Sequence, residues 1–168
     1  MNCNQYDEVS LSDISDEISD GLHKAPTFIP DGDYIFVNAT NLEHGRIVDK
    51  DPSKRTTFVE YEKYGVSLSE RSILYSIDGT IGNIAFYRGE KCLLGKGACY
   101  INVKLGVDVG YIYYLLQSPS FNEYLHSMTT GSTIKHISLR TMRSFRFTLP
   151  PLPEQRAIAA TLSCLDDK

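Results

Sequence analysis

Two glycine-flanked turns, Gly79-Thr80-Ile81-Gly82 and Gly95-Lys96-Gly97, are the first residues here whose types suggest chemistry, since backbone N–H groups beside glycine can cradle a phosphate. Neither has the Gly-x4-Gly-Lys-Ser/Thr spacing of a phosphate loop, so both read as turns. No Gly-x-Ser-x-Gly elbow presents a serine nucleophile. No Asp/Glu-x-Lys triplet follows a suitable acid, which leaves a metal-dependent nuclease centre without a basis. An Asn/Asp-Pro-Pro-aromatic motif for amino-group methylation is absent, as is a Gly-rich loop for a methyl donor. His23, His44, His126 and His136 are isolated from one another. His126 reads as a surface residue of a helix, while His23 and His136 sit in polar loops, where each is either solvated or able to donate to a ligand. Cys3, Cys92, Cys99 and Cys164 form no CxxC pair, and no His pair completes a zinc knuckle around Cys92 and Cys99. These residues point to a binding module, not an enzyme.

The chain of 168 residues is long enough for one domain with a real core, and its 42% hydrophobic and 23% charged residues are an ordinary globular balance. Nothing near the start has the apolar run of an export signal, no stretch approaches a membrane span, and unpaired cysteines suit a reduced, cytoplasmic setting without a membrane partner. The net charge of −4 argues against gripping nucleic acid by bulk electrostatics. Its distribution is uneven: residues 1–33 hold eight acids and Lys24 (−7), leaving +3 on the rest. From Ser127 to Pro153 there are four bases (Lys135, Arg140, Arg143, Arg146) and no acid, which is either a small basic surface or a solvated face.

The elements that must position these residues change period along the chain. Val9, Leu11 and Ile14 form an apolar lead-in, and residues 21–33 a loop broken by Gly21, Pro26, Pro30 and Gly32. Tyr34 to Val37 reads as a strand, His44-Gly45 as a turn, and residues 49–57 as polar loop. Two apolar runs, 73–77 and 83–87, flank an Asp78-Gly79 turn. Residues 100–105 alternate as a half-buried strand, with Ile101, Val103 and Leu105 on one side. Asp108 caps a helix, Pro119 restarts it, Gly131-Ser132-Thr133 is a loop, and Ser138 caps a short turn. Phe145, Phe147 and Leu149 alternate as a strand that Pro150 and Pro151 stop. Pro153 and Glu154 suit a helix start, and Ile158, Leu162 and Leu165 recur at coiled-coil spacing. The expected class is α+β: a mixed, strand-rich domain with short helices over residues 1–149, then a coiled-coil-type helix over 150–168.

Gly131-Ser132-Thr133-Ile134-Lys135-His136-Ile137-Ser138, the Phe145-Arg146-Phe147 strand and Leu149-Pro150-Pro151-Leu152-Pro153-Glu154-Gln155-Arg156-Ala157-Ile158 together closely resemble the specificity subunits of Type I restriction-modification enzymes. Residues 6–14, the Gly21-Leu22-His23-Lys24-Ala25-Pro26 loop and the hairpin of residues 73–86 extend the likeness over nearly the whole chain. The resemblance implies a target-recognition domain that reads one half of a split double-stranded DNA sequence and catalyses nothing itself. It also implies a spacer helix that docks modification (methyltransferase) subunits. The methyl donor, ATP and Mg belong to the modification and restriction subunits. A full subunit has two such domains; the single one here implies a half-subunit that pairs with a second copy, a truncated product or a fragment.

A reader of base edges needs short polar side chains and cations on loops. On this resemblance the DNA-contact candidates are His23, Lys24, Thr27, Asn38, Thr40, Asn41, Lys96, Ser132, Thr133 and Lys135, with Ile158, Leu162 and Leu165 facing a partner. Asn38 and Asn41 read equally as turn formers, and Ser132-Thr133 as a helix cap. The alternative is a protein–protein adaptor, a decayed recognition domain whose helix docks partners while its loops read nothing.

Overall fold

A computed structural model describes residues 6–50, 54–128 and 135–166. In chain order the elements are β1 (Asp7–Ser10), β2 (Ser15–Asp20), β3 (Tyr34–Val37), β4 (Leu42–Glu43), β5 (Arg46–Ile47), β6 (Arg55–Thr56), α1 (Phe58–Tyr64), β7 (Ser72–Ser76), β8 (Ile84–Phe86), β9 (Cys92–Leu94), β10 (Ala98–Val103), α2 (Val109–Leu115), α3 (Pro119–Ser127), α4 (Leu139–Ser144), β11 (Arg146–Leu149) and α5 (Leu152–Asp166). The α+β expectation holds, and among the described residues no helix is long and apolar enough to cross a membrane.

The centre is an antiparallel sheet in the order β2-β10-β7-β8, covered on both faces. Along β7, Ile73 and Tyr75 join a core shared with Ile112, Leu116, Phe121, Leu125, Met142 and Phe145 of the helical layer. Leu74, between them, points the other way, into a second core with Val37, Leu42 and Leu94. That second core lies under a small sheet, β6-β3-β9, in which β3 and β9 run parallel. Period-two alternation therefore survives in the strand, but both faces are apolar.

This double cover corrects the half-buried reading of residues 100–105. β10 is the second strand of the central sheet, and Ala98 to Ile101 are all buried. Leu105 does not share the inward face of Ile101 and Val103: the strand ends at Val103, the chain turns through Gly106 (φ 88°), and Leu105 is 85% exposed. Two further expectations change. The lead-in is two strands, β1 and β2, hinged at Leu11 and Ile14, both buried. Residues 49–57 are not all loop: β6 pairs with β3, and Thr57 then starts α1, its side chain accepting from Glu60 N–H at 3.3 Å.

The expected caps are in place elsewhere. The Asp108 carboxylate accepts from Tyr111 N–H at 2.8 Å, the Ser118 hydroxyl from Phe121 N–H at 3.3 Å, and the Ser138 hydroxyl from Thr141 N–H at 3.0 Å. The hairpin β4–β5 turns through His44 (φ 46°) and Gly45 (φ 74°). β1 pairs with β11, bringing the start of the fold beside the origin of α5.

Candidate nucleic-acid interface

Several of the described candidate residues lie on loops that the strands bring to one edge of the domain. Lys96 sits between β9 and β10, in the turn between the two core layers. Its backbone N–H donates to Leu22 O at 3.1 Å, and Leu22 N–H donates to Leu94 O at 2.7 Å, which seats the His23-Lys24 loop beside it. Gly21 makes this approach possible: a Cβ there would lie 2.2 Å from Leu94 O. On the other side Gly95 N–H donates to Val37 O at 2.9 Å, and the Asn38 side chain lies against Gly95, where a Cβ would meet its Oδ1 at 2.5 Å.

The Asp78-Gly79 turn closes the same edge. Ile77 N–H donates to Gly97 O at 3.0 Å, Gly79 N–H donates to Lys135 O at 3.3 Å, and the backbones of Asp78 and His136 pair in an isolated antiparallel β-bridge. Asn38, Thr40, Asp78, Gly79, Thr80, Lys96 and Gly97 line a shallow concavity of about 410 Å³. Lys96 Nζ lies 3.6 Å from Asp78 Oδ2, both side chains partly in solvent, so the pair is weak and exchangeable.

The structure thus gathers Asn38, Thr40, Lys96 and Lys135, with His23 and Lys24 on the adjoining loop. Lys135, His23, Lys24 and Thr40 are exposed. His23 Nε2 lies 2.7 Å from Asp20 Oδ2. Lys24 Nζ stands 4.5 Å above the Tyr64 ring, and hydrogen bonds from Lys24 and then Lys63 hold the Tyr64 hydroxyl below its ordinary pKa. Thr27 lies farther along the loop, its hydroxyl 3.4 Å from Glu60 Oε1 of α1. Asn41 is buried. Its side chain accepts from Asn38 N–H at 3.1 Å and donates to Val48 O at 3.1 Å, so it shapes the turn that presents Asn38 and Thr40. Ser132 and Thr133 lie outside the described residues.

Asp78, Thr80 and His136 share this edge and were absent from the sequence-based contact set. The Asp-Gly dipeptide announces a turn, but nothing local says that the turn faces Lys96. All four bases of the run 127–153 are exposed; Arg143 donates to Ile18 O, and Arg146 pairs at the surface with Glu8 at 3.0 Å. Among the described residues no group of three His, Cys, Asp or Glu side chains is placed to hold a metal.

The three residues expected to face a partner lie on α5. Ile158 and Leu162 are half-buried, and Leu165 is 61% exposed.

Residues 4–168 match the profile of the Type I restriction modification DNA specificity domain. The chain belongs to that family. Similar proteins include the Type I restriction enzyme MjaIX specificity subunit of Methanocaldococcus jannaschii, 31% identical over 96 residues, which are 57% of this chain and 22% of the relative. The Type I restriction enzyme EcoBI specificity subunit of Escherichia coli is 31% identical over 94 residues, 55% of this chain and 19% of its own length. Among solved structures, an S subunit of a Type I restriction-modification system from M. genitalium aligns with a TM-score of 0.64 at 22% identity, over 99% of this chain and 41% of that one. The HsdS subunit of Thermoanaerobacter tengcongensis aligns at 0.70 and 17% identity, over 99% and 39%. At these identities the structures speak for the fold. The specificity domain described here spans about a fifth of those relatives and about two fifths of those solved chains.

Proposed function

We propose that this specificity domain reads one half of a split double-stranded DNA target and directs methylation and restriction by partner subunits. The observation that carries the reading is the convergence of segments distant in sequence (His23-Lys24, Asn38 to Thr40, Asp78 to Thr80, Lys96 and Lys135) on one concave edge. Short polar side chains and mobile lysines in such a place suit base edges and phosphates. Asn38 matches the adenine edge, while Lys96 and Lys135 match guanine or phosphate. Residues 1–149 form the reading domain and 150–168 begin a spacer helix. Exposed Leu165 suits a modification subunit or a second copy, and two copies would give a symmetric split target. The domain performs no chemistry in this scheme; the methyl donor, ATP and Mg reside in the partner subunits.

The test is co-purification with modification subunits, followed by retention of randomised duplexes at about 0.15 M salt. Enrichment of one half-sequence is expected. A complex that retains all duplexes equally would overturn the reading. Equal retention together with intact co-purification would favour the adaptor, a reading motivated by the acidic first third of the chain.

A further inference from the structure

Gln155 is a polar side chain only 2% exposed, in a helix whose other residues are half-buried or exposed. A buried amide of this kind costs stability unless both of its ends are bonded. Here both are. Its Oε1 accepts from Asp108 N–H at 2.8 Å, and its Nε2 donates to Pro150 O at 2.7 Å. The first bond satisfies the N–H of the capping residue of α2, whose own carboxylate bonds Tyr111 N–H. The second fixes the carbonyl at the junction where β11 ends and α5 begins.

Two further contacts follow the same stripe of α5. An added Cβ on Gly110 of α2 would stand 3.2 Å from the Ala159 Cβ, so the two helices touch almost backbone to backbone at that point. Farther along, the Tyr114 hydroxyl donates to Asp166 Oδ2 at 2.9 Å. Residues 155, 159 and 166 of α5 thus meet 108, 110 and 114 of α2 in increasing order, and the two helices run parallel, side by side. On the flank, the Tyr6 hydroxyl donates to Glu154 Oε2 at 2.9 Å.

We infer that Gln155 is a positioning residue: a two-ended latch that fixes the angle at which α5 leaves the domain. This rests on the reading of α5 as a spacer between half-sites. A helix of 15 residues is about 22 Å long, so a tilt of about 10° displaces its far end by about 4 Å, close to one base-pair step. An unlatched α5 would blur the distance between half-sites without changing which bases each half reads. Ala159 and Gly110 allow the close approach, and the buried amide fixes its direction at the base of the helix, where water does not compete as it does at the exposed Tyr114–Asp166 and Tyr6–Glu154 bonds.

The test uses the full chain, alone and assembled with modification subunits, carrying Gln155→Leu or the wedge Gly110→Val. Hydrogen exchange of α5 amides should rise at least tenfold while β7 and β10 keep their protection. In the assembled complex the half-sequence should be retained, and the spacer of the methylated target should widen from one length to adjacent lengths. An unchanged single spacer length with a loosened α5 would overturn the proposal, as would unchanged α5 exchange in both variants. Loss of protection in β7 and β10 in both variants would also overturn it, since Gln155 would then support the core and not an angle. A wild-type complex without sequence preference would strike the DNA reading instead, and the exchange measurement would still decide whether Gln155 holds α5.

Discussion

At the scale of residues, the candidate edge separates side chains that face solvent from those that hold the loops. Lys96 and Lys135 are of the first kind. Each phosphate they neutralise contributes about 0.9 to the slope of log affinity against log salt. Lys96→Ala and Lys135→Ala are therefore each expected to flatten that slope by about 1 in the assembled complex, measured by duplex retention across a salt series. Asn41 is of the second kind, and Asn41→Ala leaves Asn38 N–H and Val48 O without their partner. A loss of about 1–3 kcal/mol is expected in denaturant unfolding. Two buried thiols set a pH limit. Burial pushes Cys92 and Cys99 up to about 12, whereas an unfolded chain ionises them from near 9.0. Their contribution is thus intact below pH 9 and fades as pH climbs from 9 toward 12. Thermal melts should fall between about pH 8 and about pH 10.5, and Cys99→Ala should lessen that fall.

At the scale of elements, the positions of the loops depend on a few close approaches and caps. Gly21→Ala would drive a Cβ into Leu94 O and part the His23 loop from Lys96. A cost of at least about 2 kcal/mol is expected, seen as a Tm lower by about 4–8 °C. Ser138→Ala removes the cap of α4 three residues beyond Lys135, and about 1 kcal/mol is expected in the same assay. Much of this level was legible from the residues. Asp108, Ser118-Pro119 and Ser138 mark helix starts by chemistry that acts within one turn, and Pro150-Pro151 marks a strand end for the same reason. α1 escaped because its sequence, Phe58 to Tyr64, has no buried residue to impose a period, and Thr57 is an unremarkable cap in a polar stretch. Leu105 misled because alternation cannot tell where a strand stops. The placement of Asp78 opposite Lys96 and the burial of Gln155 depend on partners 18 and 47 residues away, which no local pattern encodes, whereas Asn41 bonds Asn38 and Val48 close by and its turn-forming role was one of the readings its sequence offered.

At the scale of the whole molecule, opposite charges meet where the two ends of the domain come together, in an exposed pair. The acidic first third meets the basic last third through Glu8–Arg146 and the β1–β11 pairing. The acidic net balance remains, so the chain alone is expected to hold non-specific duplex DNA only weakly, with a Kd of about 10⁻⁴ M or weaker at physiological salt. On the proposed reading, specific recognition belongs to the assembled complex, in which partners would add contacts and α5 would set the distance. The most direct measurement of that claim is methylome sequencing of cells lacking this chain, complemented with the wild type or with Lys96→Ala/Lys135→Ala. Loss of methylation at one split motif, restored by the wild type and reduced with the double variant, is the expected result. Methylation that is unchanged when the chain is absent would contradict it.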